Sequence, residues 1–185
     1  KMGISTLAYG SGYYAGPIAW SGTMFENFMP ELLLESKRGS LCYEALGYAV
    51  HCQKQRGRDM RLPFGVSESG YYAFDSDLNY QYKAHGVQKL ALCGGMDREY
   101  VISPYSTFLA LSYSFSACMK NIARLADKAL SHAKYGFYEA IDLTGARTGA
   151  AAAVVRSHMA HHVGMSICGI TNTLCAGMLR KLFMS

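Results

Sequence analysis

Residues 65–87 read "GVSESGYYAFDSDLNYQYKAHGV" and combine one isolated carboxyl group with a dense run of tyrosines, acids and amides. Glu68 lies between two serines and close to a glycine, with no lysine or arginine beside it. A carboxyl group in such surroundings must be hydrogen-bonded, or must raise its pKa and bind a proton. A raised pKa is what a general acid needs at neutral pH. The stretch therefore predicts an irregular, functional loop between helices.

Two further glutamates have the same kind of neighbourhood. Glu26 lies in "WSGTMFENFMP" and Glu139 in "YGFYEAIDL", whereas Glu35, in "LLLESKRG", has the charged neighbours of a solvated side chain. The alternative interpretation is that these glutamates cap helices or bind backbone amides in loops. The pattern alone leaves both interpretations open, because carboxyl groups are also perturbed for structural reasons.

Carboxyl groups next to aromatic rings are typical of proteins that cleave or transfer glycosidic bonds. That chemistry takes two carboxyl groups flanking one anomeric carbon, and flat rings stack on sugar faces. Glu68 and Glu139 are the predicted catalytic pair, with Glu26 as the third candidate. The other predicted substrate-binding residues near them are Trp20, Tyr71, Tyr72, Asp75, Asn79, Tyr80, Gln81, Tyr82 and Tyr138.

Composition excludes several other classes of protein. The 185 residues fit one domain, and the net charge of +5 is spread along the chain without the basic stripe of a nucleic-acid binder. No apolar run reaches the ~18 residues of a membrane span, and no signal peptide is visible. The six cysteines form no CxxC pair and are expected to be buried free thiols.

The histidines of "SHMAHHVGM" do not have the spacing of a metal site. His158 and His162 are one helical turn apart, but Met159 stands where a zinc HExxH motif needs glutamate. We expect no metal and no cofactor, and we expect the histidines to line a pocket.

Hydrophobic spacing predicts an all-α chain with long loops. The first twenty residues are read as irregular, and so are 59–80 and "KYGFYEAIDL". The expected helices start at Ser21 with an interruption at Pro30, run over 41–55 to a stop at Gly57, and occupy 78–85, the stretch after Pro104 with Ser103 as cap, 116–130 and 155–182.

Five motifs, in this order, resemble a known family. They are "WSGTMFENFMPELL", "FGVSESGYYAFDSDLNYQYKAHGVQKLAL", "YVISPYSTFLAL", "KYGFYEAID" and "AVVRSHMAHHVGMS". Together they resemble the glycoamylase-like domain of bacterial cyclic β-1,2-glucan synthases and related β-1,2-glucan-active glycoside hydrolases. The resemblance runs from about Ala19 to Phe183, which is nearly the whole chain.

The resemblance implies an (α/α)6 toroid and glycoside hydrolase or transglycosylase activity on β-1,2-glucan. It marks Glu26, Glu68 and Glu139 as the motif acids of the family and adds His161 and His162 as its "AHH" motif. His158 stands where the family prefers an aromatic residue, and His85 stands where it prefers Phe. Because a toroid of about twelve helices does not fit in this length, residues 1–185 are expected to be a segment of one catalytic domain, with 1–20 as lead-in.

The expected partners are a glucan oligosaccharide or polysaccharide and other domains of the same larger chain, with no nucleic acid and no membrane span in this segment. The expected location is cytoplasmic, free or as part of a synthase associated with the inner membrane. Two alternatives to an enzyme are a non-catalytic glucan-binding module and a helical scaffold domain of a glucan synthase. Hydrolysis and ring-closing transglycosylation both remain open.

Overall fold

Helices of very different lengths alternate with short antiparallel strands. The computed structural model describes residues 3–9, 11–127, 132–149 and 152–185. The helices in these ranges are α1 Met24–Phe28, α2 Leu41–Met60, α3 Tyr105–Leu109, α4 Phe115–Ala126, α5 Gly145–Thr148, α6 Ala160–Leu174 and α7 Met178–Met184. The strands are β1 Gly3–Tyr9, β2 Gly12–Ile18, β3 Ser69–Phe74, β4 Tyr80–Lys83, β5 Val101–Ile102, β6 His132–Ala133, β7 Gly136–Phe137, β8 Ala140–Asp142 and β9 Ala153–Val155.

The prediction of an all-α chain is wrong, and with it the prediction of an (α/α)6 toroid. The described residues contain nine strands in four antiparallel sheets, which pair β1 with β2, β3 with β4, β6 with β7, and β8 with both β5 and β9. The loops that were expected to be irregular supply most of these strands. Not one helix of the described ranges is both long and apolar enough to cross a membrane.

The lead-in is a hairpin and not an irregular segment. Tyr9 pairs with Gly12, so only two residues connect β1 to β2, which is a favoured hairpin length. Exposure alternates along residues 3–8 as it does in a strand with one covered face. Gly16 leaves no room for a side chain, because Tyr48 of α2 packs directly on its backbone. The high content of Gly, Ser and Tyr suggested a loop, so the alternation of covered and exposed residues was not recognised in the sequence.

The second hairpin replaces the short helix expected at 78–85. The carboxylate of Asp75 accepts hydrogen bonds from the backbone N–H groups of Asp77 and Asn79, at 2.9 Å and 2.8 Å, and so reverses the chain. Tyr80 and Tyr82 then lie in β4, where aromatic residues are favoured. The local turn chemistry therefore overrides the weak helical spacing.

The remaining helices mostly agree with the predicted positions. α1 is followed by a 3₁₀ turn at Pro30–Leu32, and α4 lies where residues 116–130 predicted it. α2 does not stop at Gly57 but continues to Met60. The absence of a side chain at Gly57 lets the chain near Leu62 approach the helix closely. The helix expected over 155–182 is three elements, β9, α6 and α7, with α7 beginning after Gly177. Not all cysteines are buried: Cys42 and Cys175 are exposed.

The core places the extended segment 64–67 between α2 and α4. Tyr48, Phe28 and Met24 are fully buried in the same cluster. Gln53 of α2 donates to Val66 O at 2.8 Å and accepts from Val66 N at 2.9 Å. Asn121 of α4 binds the N–H and C=O of Phe64 in the same way, at 3.0 Å and 2.8 Å. Two buried amide side chains thus pair with this backbone as a neighbouring strand would.

A cluster of charged side chains joins β4 to the region after β8. Arg147 donates to Asp142 Oδ2 at 2.8 Å and to Glu99 Oε1 at 2.6 Å, and Lys83 binds Glu99 at 2.8 Å. His85 lies at the buried edge of this cluster, with Nδ1 3.2 Å from Glu99 Oε2 and with Nε2 buried and unpaired. Burial lowers the pKa of His85 to about 4, against the opposing charge of Glu99.

The lowered pKa of His85 makes stability depend on pH. The unfolded chain binds the proton more tightly, so stability that is present above pH ~6.5 is lost as the pH falls toward the folded pKa. Between pH 7 and pH 5 this loss is about 2 kcal/mol. We predict that His85→Phe removes that part of the loss, as measured by urea unfolding at both pH values. His158→Phe, at an exposed position, is the control. Equal losses in wild type and His85→Phe would contradict the assignment.

Candidate active site

Glu68 lies at the point where the extended core segment becomes β3. Its side chain is partly buried. Its backbone carbonyl accepts a hydrogen bond from the Tyr105 hydroxyl at 3.0 Å, and within the described ranges its carboxyl group has no hydrogen-bond partner. Burial raises the pKa of Glu68, the negative charge of Glu26 raises it further, and His162 opposes the rise. The carboxyl group thus makes no hydrogen bond to the described residues, and its raised pKa means that it holds its proton more tightly than an exposed glutamate does.

Glu139 and His162 form a buried pair. Glu139 Oε2 is 2.9 Å from His162 Nδ1, and Glu139 Oε1 accepts from the N–H of Gly70 at 3.1 Å. The two side chains are 1% and 3% exposed. When Glu139 accepts in this contact, Nδ1 is the donor, and in a neutral ring Nε2 is then the acceptor. Nε2 lies 3.4 Å from the Tyr82 hydroxyl.

Tyr105 contacts both Glu68 and the Glu139–His162 pair. Its ring stacks on His162 with centroids 3.6 Å apart and an angle of 8° between the planes. Its hydroxyl is 2.9 Å from Ser67 Oγ in addition to its bond with Glu68 O. Burial raises the pKa of Tyr105 far above its ordinary value, so the hydroxyl stays protonated. Sequence reasoning missed this residue, because a tyrosine at the start of an apolar helix resembles any core residue.

Tyr82 and His161 lie on the solvent side of His162. Tyr82 is 41% exposed, and its pKa is raised to about 12 by burial and by the charges of Glu68 and Glu139. His161 is exposed, with its ring centroid 4.0 Å from that of His162, and its pKa is lowered by burial and by His162. A partly exposed phenol thus lies close to the Glu68 carboxyl group, and an exposed imidazole lies beside His162, which is an arrangement suited to hydroxyl-rich ligands.

A pocket of about 190 Å³ adjoins the Glu139–His162 pair. Its lining includes Tyr138, whose ring stacks on that of His158 at 5.4 Å. His158, which departs from the pattern of the family, therefore lies near the site all the same.

The Glu26 carboxylate binds the backbone that leads into its own helix. Its carboxylate accepts from the N–H groups of Ser21, Gly22 and Thr23, the shortest bond being 2.8 Å to Gly22. The Thr23 side chain accepts in turn from Glu26 N, which completes a capping box at the start of α1. The alternative interpretation of these acids, that they bind backbone amides, describes Glu26 well. Glu26 is nevertheless close enough to raise the pKa of Glu68.

The predicted tyrosines of β3 and β4 divide into two groups. Tyr71 contacts Lys83 and Arg147, whose charged groups lie 4.6 Å and 4.7 Å from its ring centroid. Tyr72 and Tyr80 form a cluster with Phe74, in which ring centroids are 4.9–6.2 Å apart. Tyr72 and Phe74 are 39% and 42% exposed, and the cluster borders a separate pocket of about 630 Å³.

The remaining predicted binding residues have other roles or stand apart. Asp75 and Asn79 bind each other in the hairpin turn, and Gln81 braces the hairpin through Phe74 O and the Tyr71 hydroxyl. Trp20 is 70% exposed and directly precedes the segment that Glu26 caps. Among the residues that the structure describes, no three His, Cys, Asp or Glu side chains are grouped as metal ligands. The prediction of a metal-free site stays a prediction.

Comparison with known proteins adds three findings. The chain is 38% identical over 168 residues to the cyclic beta-(1,2)-glucan synthase NdvB of Rhizobium meliloti strain 1021, covering 90% of this chain but only 6% of that protein. Its fold is similar to an endo-beta-1,2-glucanase from Chitinophaga pinensis, with TM-score 0.63, 18% identity and coverage of 97% of this chain and 43% of the other. It is also similar to a beta-1,2-glucanase from Parabacteroides distasonis, with TM-score 0.59, 19% identity and coverage of 89% and 23%.

The fold of this chain therefore corresponds to less than half of each of these larger structures. Residues 13–185 match the family described as "Glycoamylase: Putative glucoamylase". This match covers nearly the whole chain, and it includes every glutamate and histidine of the site. The chain belongs to the glycoamylase family.

Proposed function

We propose that this chain carries the site of a carbohydrate-active enzyme that hydrolyses or transglycosylates β-1,2-glucan, with Glu68 as the general acid. The observation that carries the proposal is the state of Glu68. Its carboxyl group is partly buried and free of hydrogen bonds to the described residues, and its pKa is raised by burial and by Glu26. A general acid must keep its proton until it delivers it to the leaving oxygen, and a raised pKa favours that.

Two relatives support the choice of substrate class. NdvB is described as a cyclic beta-(1,2)-glucan synthase and the Chitinophaga protein as an endo-beta-1,2-glucanase. One name implies glucan synthesis and the other glucan cleavage. The reaction of this chain must therefore be identified from its products. We also propose that residues 1–185 are part of one catalytic domain in a larger cytoplasmic protein, as NdvB is far longer.

Glu139 is assigned a different task from the one that the paired-carboxylate prediction gave it. Both of its oxygens are engaged, one by Gly70 N and the other by His162 Nδ1. A carboxylate in that position orients the imidazole and stabilises its charged form. We propose that Glu139 acts through His162, which in turn holds the Tyr82 hydroxyl toward the substrate.

The test of Glu68 is the Glu68→Gln variant in the full-length protein. The amide keeps the size of the side chain but has no acidic proton, so turnover of linear β-1,2-glucan should fall by about 10²–10⁴-fold. Glucan affinity should largely remain, because stacking does not depend on the carboxyl group. Chromatography of the products separates rings, which indicate transglycosylation, from short oligomers, which indicate hydrolysis. Near-normal turnover of Glu68→Gln would exclude Glu68 as the acid.

Glu139→Gln serves as the companion variant. Its amide NH₂ would donate to His162 Nδ1 and move the imidazole hydrogen to Nε2, which faces Tyr82. Turnover should fall here as well, together with a change in the imidazole nitrogen signals of His162 in NMR spectra. A loss of turnover with unchanged signals would instead favour direct participation of Glu139, as in the paired-carboxylate prediction.

For Glu26 we predict a loss of stability. In Glu26→Gln an amide NH₂ replaces one of the two carboxylate oxygens that accept from backbone N–H groups in the wild type. Loss of such a cap costs about 1 kcal/mol. Glu44→Gln is the matched control, since Glu44 occupies the first turn of α2 and is exposed. Thermal unfolding of both variants measures the difference. If Glu26→Gln is as stable as Glu44→Gln but inactive, Glu26 belongs to the chemistry after all.

The exposed cluster of Tyr72, Phe74 and Tyr80 is proposed to stack on glucose rings away from the cleavage point. Tyr72→Ala should weaken binding of long β-1,2-glucans by about 2-fold to 10-fold, since such stacking contributes about 0.5–1.5 kcal/mol. Tyr13→Ala is the control, because Tyr13 is 82% exposed on β2 and has no part in the cluster. Calorimetry with long and short oligosaccharides measures both. Equal affinities for Tyr72→Ala and Tyr13→Ala would exclude this role.

A further inference from the structure

Residues 103–105 contact the backbone of both glutamates. The Ser103 hydroxyl donates to Glu139 O at 2.8 Å, and the Tyr105 hydroxyl donates to Glu68 O at 3.0 Å. Glu68 and Glu139 are far apart in sequence, and each directly precedes a different strand, β3 and β8. One short segment at the start of α3 therefore holds the main chain of both. These contacts come from the protein interior, because Ser103 is fully buried and Tyr105 is 5% exposed.

We propose that Tyr105 is a positioning residue that sets Glu68 against the His162–Glu139 pair, with Ser103 fixing the Glu139 side of the same contact. The inference rests on the proposed function, because it concerns the placement of the proposed acid. Tyr105 does not touch the substrate in this scheme and acts only through Glu68 and His162.

The hydrogen-bond directions around Tyr105 are determined by its partners. The N–H of Phe25 donates to Ser67 Oγ at 3.0 Å, and the Tyr105 hydroxyl donates to the carbonyl of Glu68. The Ser67 hydroxyl, 2.9 Å from that of Tyr105, must therefore be the donor between the two. An ordered chain runs from α1 through Ser67 and Tyr105 to Glu68. Successive bonds with one direction strengthen each other in a buried environment.

The ring of Tyr105 supplies the second half of the contact. It lies flat on His162 at 3.6 Å, while His162 is fixed in its plane by Glu139. The hydroxyl and the ring are parts of one rigid group, so the distance from the Glu68 backbone to the imidazole plane is set by the tyrosine itself. Phenylalanine at this position would keep the stacking and lose the bond to Glu68.

Loss of that bond should change how Glu68 titrates. The groups that face Glu68 are Glu26 from α1, Tyr82 from β4, Tyr105 from α3 and His162 from α6, with Glu139 acting on the same two tyrosines. Burial is the main cause of the raised pKa of Glu68. A Glu68 that is free to turn toward solvent loses part of that burial, and its pKa falls. The high-pH limb of turnover, where the acid loses its proton, then moves to lower pH.

The experiment compares Tyr105→Phe with Tyr100→Phe in the full-length protein. Tyr100 is also buried and also donates to a backbone carbonyl, that of Pro63 at 2.9 Å, so its variant loses the same kind of bond elsewhere. We expect similar melting temperatures for the two variants. For Tyr105→Phe we expect kcat on linear β-1,2-glucan to fall by about 10-fold to 100-fold, as for a displaced catalytic group. Its KM should stay near the wild-type value, and its high-pH limb should shift downward.

A Tyr105→Phe variant with the kcat and pH profile of Tyr100→Phe would overturn the inference. Glu68→Gln in the same assay separates this failure from that of the proposed function, because retained turnover there removes Glu68 as the acid. If Tyr105→Phe melts well below Tyr100→Phe, Ser67→Ala replaces it. That variant leaves the Tyr105 ring in place and removes the donor to its hydroxyl. The bond from Tyr105 to Glu68 O then remains but loses the strengthening that the Ser67 donor gives it, so the high-pH limb should shift downward by less than in Tyr105→Phe, and an unshifted limb would also overturn the inference.

Discussion

The backbone polar groups of the extended segment 64–72 need partners because most of this segment is buried, and side chains from several other elements supply part of them. A buried N–H or C=O without a partner costs about as much as a lost hydrogen bond. Asn121 pairs with Phe64 and Gln53 with Val66, while Glu139 and Asp142 accept from Gly70 and Tyr72. Helices α2 and α4 supply the amides, and the β8 region supplies the carboxylates. Glu68 lies in the middle of this segment, between the two kinds of support.

This arrangement gives Glu139 and Asp142 a structural task that constrains their chemistry. Although burial alone would raise it, hydrogen bonds from Arg147 and Thr144 hold the pKa of Asp142 below its ordinary value. Glu139 is likewise committed to Gly70 and His162. Both carboxylates are needed as acceptors, and each has a donor partner besides the strand. Glu68 differs because its carboxyl group accepts no hydrogen bond from the part of the chain that the structure describes.

The three candidate glutamates could be singled out from sequence, and their catalytic role stays a prediction, whereas the scaffold around them could not be predicted. Glu26, Glu68 and Glu139 were distinguishable because their neighbours are aromatic and small, which is a local property. Gln53, Asn121 and Tyr105 had no such signal, because their roles come from contacts with residues distant in the chain. The strands at 3–18 and 80–83 were missed for a different reason. The glycine and tyrosine content of 3–18 suggested a loop, and the spacing at 78–85 suggested a short helix, whereas the two-residue hairpin connection and the Asp75 turn decided the pairing.

The exposure of Trp20 determines what the intrinsic fluorescence of this chain can report. It is the single tryptophan of the sequence, and 70% of its surface is in contact with water in the folded state. Unfolding changes the surroundings of such an indole little, so its emission is a poor monitor of folding for this chain. A sugar ring resting on the indole would instead exclude water from it. The same emission would therefore report any carbohydrate that came to lie on Trp20, at the edge of the segment that leads into α1, without any added label.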